Sequence, residues 1–544
     1  MGRTSCLLFI LILFFSCRKD EPLPTGSFNP VRFSIDGIQA QNAAGVGLNP
    51  VILLHFDQKT DTATLRNALT LTGNTVPNTR IEIKTADKDS TVILQIVPAL
   101  SPFSQYTLNI NQTFKSRYGQ SLSSELNLSF TTAIDTSDKF PVITDDSLLT
   151  LIQKQTFRYF SDFAHPVSGM ARERNSSGDL VTTGGTGFGI MAIIAGINNG
   201  FISRDEGLSH IKTIADFLDT KATKYHGAFA HWIDGKTGVT IPFSQKDDGG
   251  DLVETSFLMA GLLCAREYFD RNIPAEDFLR QTITRLWHNV EWDWYTRGGS
   301  DALYWHWSPK YDWDMNVQVK GWNEALITYI LAASSPTHPV APAVYDKGWA
   351  SNGDLQNGNT FYGIRLPLGP DFGGPLFFEH YSFLGIDPRK LKDKYVDYNE
   401  QTGNHSRINQ AYCISNPKKY YGYSAACWGL TASDTRNGYS AHSPTNDQGV
   451  ISPTAALSSM PYTPEASLNA ARFFYYKLGD KIWGQYGFKD AFSPHYAWVA
   501  DSYLAIDQGP IIVMIENYKT GLIWNLTMKN ADIRQGLTTL GFEY

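Results

Sequence analysis

From residue 145 onward the chain alternates two kinds of helical segment, and one kind leaves little freedom about the fold. Residues 187–197, 255–264, 325–333, 375–385, 453–460 and 510–515 are apolar on nearly every side. A helix without a polar face has to be buried all round. Between most of these lie segments with one apolar stripe, such as Leu149, Ile152, Thr156, Phe160 and Phe163 after Asp145 and Asp146. Ser203 and Glu206 make a capping-box pair ahead of Leu208, Ile211, Ala215 and Leu218. Thr463-Pro464 supplies an N-cap and a first-turn proline ahead of Leu468, Ala471, Tyr475 and Leu478. Six buried segments ringed by six one-faced ones make an (α/α)6 toroid. The outer segment near 337–348 is the most weakly patterned.

In such a toroid the inner helices run parallel, so their N-termini open on one face. The residues before them are Thr182-Thr183-Gly184-Gly185, Asp247-Asp248-Gly249-Gly250-Asp251 with Glu254, Gly321-Trp322-Asn323-Glu324, Asp371-Phe372-Gly373-Gly374, Asn446-Asp447-Gln448-Gly449 and Ala505-Ile506-Asp507-Gln508-Gly509. Nearly all are acidic, Gly-rich or both. Any one acid reads equally well as an N-cap, for which Asp is favoured. Their convergence on one rim points to an acid-lined cleft, where helix dipoles help hold carboxylates ionised.

Six of the thirteen tryptophans fall between Trp292 and Trp322, interspersed with Asp293, Asp301, Asp312 and Asp314 and followed by Glu324. Flat rings beside carboxylates suit a carbohydrate: rings stack on sugar C–H faces, and acids bind hydroxyls or move protons. Trp305, Trp307, Trp313 and Trp322 are the rings expected to face the sugar. The net charge of −7 and the lack of a basic run exclude nucleic acid as a partner.

Glycoside hydrolysis needs one protonated and one ionised carboxyl group. Glu324 follows the Trp-rich stretch and opens an apolar helix, so it is the candidate general acid. Asp507 opens the last inner helix and is the candidate general base. Asp251, Glu254 and Asp447 are rivals for the base, or bind substrate hydroxyls. No cofactor is called for, and no Cys/His spacing suits a zinc ion.

The N-terminal 30 residues read as targeting and tether. Arg3 precedes an apolar run over 7–15, too short to span a bilayer. Ser16-Cys17 then resembles a bacterial lipoprotein cleavage site. A signal peptide over 1–16, lipidation at Cys17 and a tether over 17–30 are expected, with a surface-exposed outer-membrane lipoprotein as the outcome and the lipid as the only membrane contact. Residues 31–134 are β in texture, with short runs such as VILLHF, TVILQIV, YTLNI and LNLSFTT between Gly/Asn/Pro turns. They read as a small Ig-like sandwich resembling the bacterial Ig-like module. The helical domain spans 145–544. Among the cysteines beyond Cys17, Cys264 reads as packing, while Cys413 and Cys427 are free to pair or not.

GDLVETSFLMAGLL, WSPKYDW, GWNEALITYILAASSPTHP, GGPLFFEHYSFLGIDPR, DQGVISPTAALSSMPYTPEASL and DSYLAIDQGPIIVMIENYKTGLIW occur in that order. Together they resemble the bacterial glucoamylase-like domain of glycoside hydrolase family 144. The resemblance implies an (α/α)6 fold, cleavage of β-1,2-glucan with inversion, and no metal. It places the acid at Glu324 and the base at Asp507, with Asp447 as the alternative. Two other readings compete. One is a surface glycan-binding lipoprotein without hydrolysis. The other is an α-glucan hydrolase, or a uronate lyase drawing on His231, His306, His380 and Arg365.

Overall fold

A computed structural model describes residues 26–74 and 79–544. The signal segment, Cys17 and most of the tether therefore lie outside the described residues. The chain divides into two compact units, the first ending at Ala133 and the second beginning at Ile134.

The first unit is a sandwich of two four-stranded sheets. One sheet is ordered β1 (Pro30–Ile35), β3 (Val51–Phe56), β6 (Thr91–Val97), β5 (Arg80–Ala86). The other is β2 (Asn42–Val46), β8 (Leu126–Thr132), β7 (Gln105–Ile110), β4 (Leu69–Gly73), with helix α1 (Thr62–Ala68) between β3 and β4 in sequence. Strand alternation fills its core. Ile52 pairs with Leu94 and Leu54 with Val92, and all four side chains are buried. Tyr106, Leu108 and Ile110 supply the facing layer.

In the second unit, outer and inner helices alternate along the chain. They run α2 (Asp145–Ser161), α3 (Thr183–Asn198), α4 (Arg204–Thr220), α5 (Leu252–Tyr268), α6 (Pro274–His288) and α7 (Leu326–Ser334). The next outer element is short: α8 (Pro342–Val344) runs into a π-turn over Tyr345–Trp349. After it come α9 (Tyr398–Ser415), α10 (Pro453–Ser458), α11 (Pro464–Arg472), α12 (Leu478–Ile482) and the inner α13 (Ala505–Lys519). Two more helices, α14 (Leu522–Lys529) and α15 (Ala531–Thr539), follow, and α15 packs on α7. The toroid expected from the apolar pattern is present.

One inner member differs from expectation. Residues 375–385 form two short 3-10 turns, Leu376–Glu379 and Ser382–Leu384, instead of an α-helix. The segment is entered from Gly373 and Gly374, both at positive φ, and its amides bond three residues back, as Phe378 N–H does to Pro375 O. It still closes the ring. Ser382 Oγ accepts from Ile327 N–H of α7 at 3.0 Å, and His380 Nε2 lies 3.0 Å from Ser459 Oγ after α10.

The inner helices meet where side chains vanish. A Cβ on Gly187 would stand 2.1 Å from Phe257 O, and one on Gly261 would stand 2.2 Å from Gly187 O, so α3 and α5 touch backbone to backbone. Cys264, Cys413 and Cys427 are buried free thiols. Among the described residues no helix is long and apolar enough to cross a membrane.

Candidate active site

The N-termini of the inner helices share one face, and their acids meet there. Asp251 caps α5, with its Oδ1 accepting from Glu254 N–H at 2.9 Å. The same carboxylate turns Oδ2 to His231 Nδ1 at 3.1 Å and to His306 Nε2 at 3.7 Å. His306 also stands 3.3 Å from Asp247 Oδ2. A two-residue ladder, His306–Trp307 against Gly250–Asp251, delivers that imidazole. Asp251 is therefore both a helix cap and a partner of two imidazoles.

Burial opposes ionisation of Asp251, but the His231 hydrogen bond and the charges of His306 and His231 hold the carboxyl below its ordinary range. Burial opposes the charged form of His231 too, yet the charges of Glu254, Asp251 and Asp247 raise it to about 9. Burial and the Asp251 charge push Asp247 to about 7. The ligand atoms of His231, Asp247 and Asp251 lie within 4.8 Å of one another, a spacing a cation could bridge. As it stands, the His231–Asp251 bond makes the trio an ion-pair cluster.

Glu254, one turn into α5, accepts from Gly184 N–H at the start of α3 at 2.7 Å. A Cβ on Gly184 would lie 2.6 Å from that oxygen, so the approach requires glycine. Burial and the Asp251 charge raise the Glu254 carboxyl. Glu324 precedes α7, its carbonyl accepting from Ser382 Oγ, and its side chain is half-buried. Burial, then the charges of Glu254 and Asp251, push Glu324 to about 7. A carboxyl group at that value is protonated often enough to donate near neutrality.

Asp507 occupies the first turn of α13 and is 2% exposed. Its carbonyl accepts from Thr454 Oγ1 of α10 at 2.8 Å. Its carboxyl group is hydrogen-bonded to that of Asp490. Asp507 Oδ2 and Asp490 Oδ1 have no other donor. One proton held between the two groups satisfies both oxygens. Burial and the Asp490 charge raise Asp507 well above its ordinary value. Asp490 is pushed to about 7 by burial, against the Asp434 N–H that it accepts at 2.7 Å. Asp434 in turn is bound by Arg174 Nη1 at 3.2 Å, and Arg174 Nε bonds Glu173 Oε2 at 2.9 Å.

Tyr381 feels the charges of three of these acids. Burial, then the charges of Asp507, Tyr439, Glu324 and Glu254, raise its phenol well above the ordinary value. Acids from α5, the start of α7 and α13 thus all bear electrostatically on one phenol. The arrangement offers a group able to donate a proton and a buried pair able to accept one.

The remaining candidates part company. Asp447 accepts from Tyr423 OH at 2.7 Å, Gly449 N–H at 2.9 Å and Tyr412 OH at 3.0 Å. It also lines a cavity of about 270 Å³ with Tyr420, Arg436 and Tyr496. Trp322, expected to face sugar, is instead a core residue, 5% exposed and packed against Trp349, Phe383 and Tyr398. Its Nε1 donates to the buried Glu379 at 3.0 Å, which explains why a tryptophan is needed there. Trp292 is likewise buried, beside Trp287. Trp305 is half-buried next to His306, its carbonyl accepting from Leu252 N–H. Trp307 and Trp313 line an open pocket with Trp294.

Of the residues a lyase would draw on, His306 faces Asp247 and Asp251, and the other three are also engaged. His231 is paired with acids, burial lowers His380 to about 3, and Arg365 pairs with Glu400 at 3.3 Å on the surface.

Sequence reasoning missed Asp490 and Tyr381. Asp490 lies in a loop with no capping or glycine signal, and Tyr381 sits within an apolar run. Asp247 was visible in the DDGGD string that supplies Asp251.

Residues 316–531 match the family model described as "Putative glucoamylase", and residues 36–132 match the bacterial Ig-like domain. An exo β-1,2-glucooligosaccharide sophorohydrolase (non-reducing end) of Parabacteroides distasonis is 48% identical over 417 residues, which make up 73% of this chain. The chain spans 58% of the length of that curated relative. An endo-β-1,2-glucanase from Chitinophaga pinensis, solved with sophorotriose and glucose, superposes with a TM-score of 0.73 at 51% identity. That match covers 74% of this chain and 99% of the other. A β-1,2-glucanase structure from Parabacteroides distasonis has a TM-score of 0.72 at 39% identity, covering 94% of this chain and 74% of its own.

Proposed function

The chain belongs to the glucoamylase-like family, and from that premise we propose that it hydrolyses β-1,2-glucan or its oligosaccharides. The relatives acting on this linkage support the substrate. The observation that carries the chemistry is a Glu324 carboxyl held at about 7, together with the buried Asp507–Asp490 pair, with Glu324 and Asp507 both raising the Tyr381 phenol.

In this reading cleavage inverts the anomeric centre. Glu324 gives its proton to the glycosidic oxygen as the C1–O bond breaks. A water molecule attacks C1 from the opposite face, and Asp507 takes the water's proton. The proton shared with Asp490 leaves one negative charge on the pair, which is what a base requires. Asp251 and Glu254 hold substrate hydroxyls, and Trp305 borders the same acids.

The test is incubation with β-1,2-glucan, starch, laminarin and pectate, with proton NMR of the anomer first released. Cleavage of β-1,2-glucan with an initial α-anomer supports the proposal. Cleavage of another glucan alone, or retention of the β-anomer, refutes it.

We further propose that Cys17 carries the lipid that anchors the protein at the outer cell surface. Labelling with a fatty-acid analogue should mark the wild type and not Cys17→Ala, and protease added to intact cells should remove it. Labelling that survives the substitution rules this out.

A further inference from the structure

The ladder that carries His306 also carries Trp307, and the two side chains serve different spaces. Successive strand residues project to opposite faces. His306 faces Asp247 and Asp251. The Trp307 ring lies 5.2 Å from His226 and 6.4 Å from Trp294, on the border of an open pocket of about 860 Å³. None of the acids that bear on Tyr381 lines that pocket.

Its floor is preorganised. The His226 ring stacks on Trp294 with centroids 3.8 Å apart and planes at 15°, and Glu291 Oε2 pins His226 Nδ1 at 2.9 Å. Trp294 remains 39% exposed, and Trp313 stands 6.3 Å away at 36°. Arg297 Nη1 donates to Asn316 Oδ1 at 2.7 Å, setting two planar hydrogen-bonding groups at the rim. His226, Arg297, Asp312 and Asn316 all adopt left-handed backbone, with φ of 51°, 56°, 47° and 50°. Non-glycine residues are uncommon in that region, although Asn, Asp and His enter it more readily than others.

The charges nearly cancel. Arg297 offsets Asp312, and Lys246 pairs with Asp314. Exposed ring faces with balanced planar donors and acceptors suit a neutral polyhydroxylated ligand better than an anion or a purely apolar one.

We propose that this pocket is a second saccharide-binding site, separate from the acid-lined cleft, which holds a short run of glucosyl residues of the polymeric substrate. The identity of the sugar rests on the function proposed above; the existence of the site rests on the pocket itself.

The test compares the wild type with Trp294→Ala and Arg297→Ala, with thermal melting to confirm folding and Trp294→Phe as the variant that keeps a stacking ring. Retention in gels carrying soluble β-1,2-glucan, laminarin or starch should weaken about ten-fold for Trp294→Ala, and Trp294→Phe should recover much of it. KM for polymeric β-1,2-glucan should rise several-fold at unchanged kcat. Cleavage of a short oligosaccharide should stay at the wild-type rate. Unchanged retention on every glucan overturns the site. Equal losses on polymer and oligosaccharide overturn its separateness, because the pocket would then be part of the cleft. Trp294-dependent retention on laminarin or starch alone supports the site while refuting β-1,2-glucan as its ligand.

Discussion

Replacing Asp490 by Asn isolates the proton shared with Asp507. The amide oxygen keeps the hydrogen bond from Asp434 N–H, and the amide nitrogen can donate to Asp507 Oδ2, which has no other donor. Two like charges about 4 Å apart at an effective dielectric of ~20 repel by ~4 kcal/mol, and about 1.4 kcal/mol moves a pKa by one unit. That repulsion acts only on the pair's second ionisation, which it places about 2–3 units above the first. Asp490→Asn removes the second ionisation and leaves Asp507 beside a neutral donor, as the protonated partner does. The acidic limb of kcat/KM, set by the first ionisation, should therefore stay within about one pH unit of the wild type. Stability gives a second readout. A carboxyl raised in the folded state contributes stability that is complete below its unfolded pKa near 4 and is lost as pH rises through its folded value, about 7 for Asp490. The wild type should therefore lose melting temperature between pH 4 and 8, and Asp490→Asn should lose less. A flattened melting profile with an acidic limb displaced by about two units or more would refute the monoanionic pair as the base. An unchanged melting profile would mean that no proton is shared.

Glu324→Gln should keep the melting temperature and lower glucan cleavage by about 10²–10⁴-fold, read as reducing ends released. In the wild type the basic limb should fall near pH 7, where burial places the Glu324 carboxyl, and a limb above pH 9 would exclude it as the acid. Trp322→Ala should cost about 3–5 kcal/mol in denaturant unfolding, because it opens a core cavity and strips Glu379 of a donor. Asp447→Asn should lower stability through its tyrosine partners and leave the acidic limb of the pH profile where it was.

The toroid was legible because burial on all sides is written directly into composition, as in α3, where residues from Thr183 to Gly196 are all buried. The 3-10 character of 375–385 was not, since a buried turn and a buried helix use the same apolar residues. The site was half legible. Asp447 and Asp507 both stand in an Asp-Gln-Gly string before an inner helix, and no local pattern tells them apart. What separates them is distant: two tyrosines claim Asp447, and Asp490 claims Asp507. Six clustered tryptophans suggested a single ring-lined surface, but side-chain direction sent Trp322 and Trp292 to the core and Trp307 to the open pocket.

The naked contact between Gly187 and Gly261 sits beneath the rim where Gly184 meets Glu254. A single methyl group at either position would force the two central rods apart and carry that carboxylate away from its amide. The working tolerances of the mouth are thus inherited from a spot no sugar ever reaches. Drift in what this scaffold accepts has to be written into the surrounding loops, because the hub has no slack to spend.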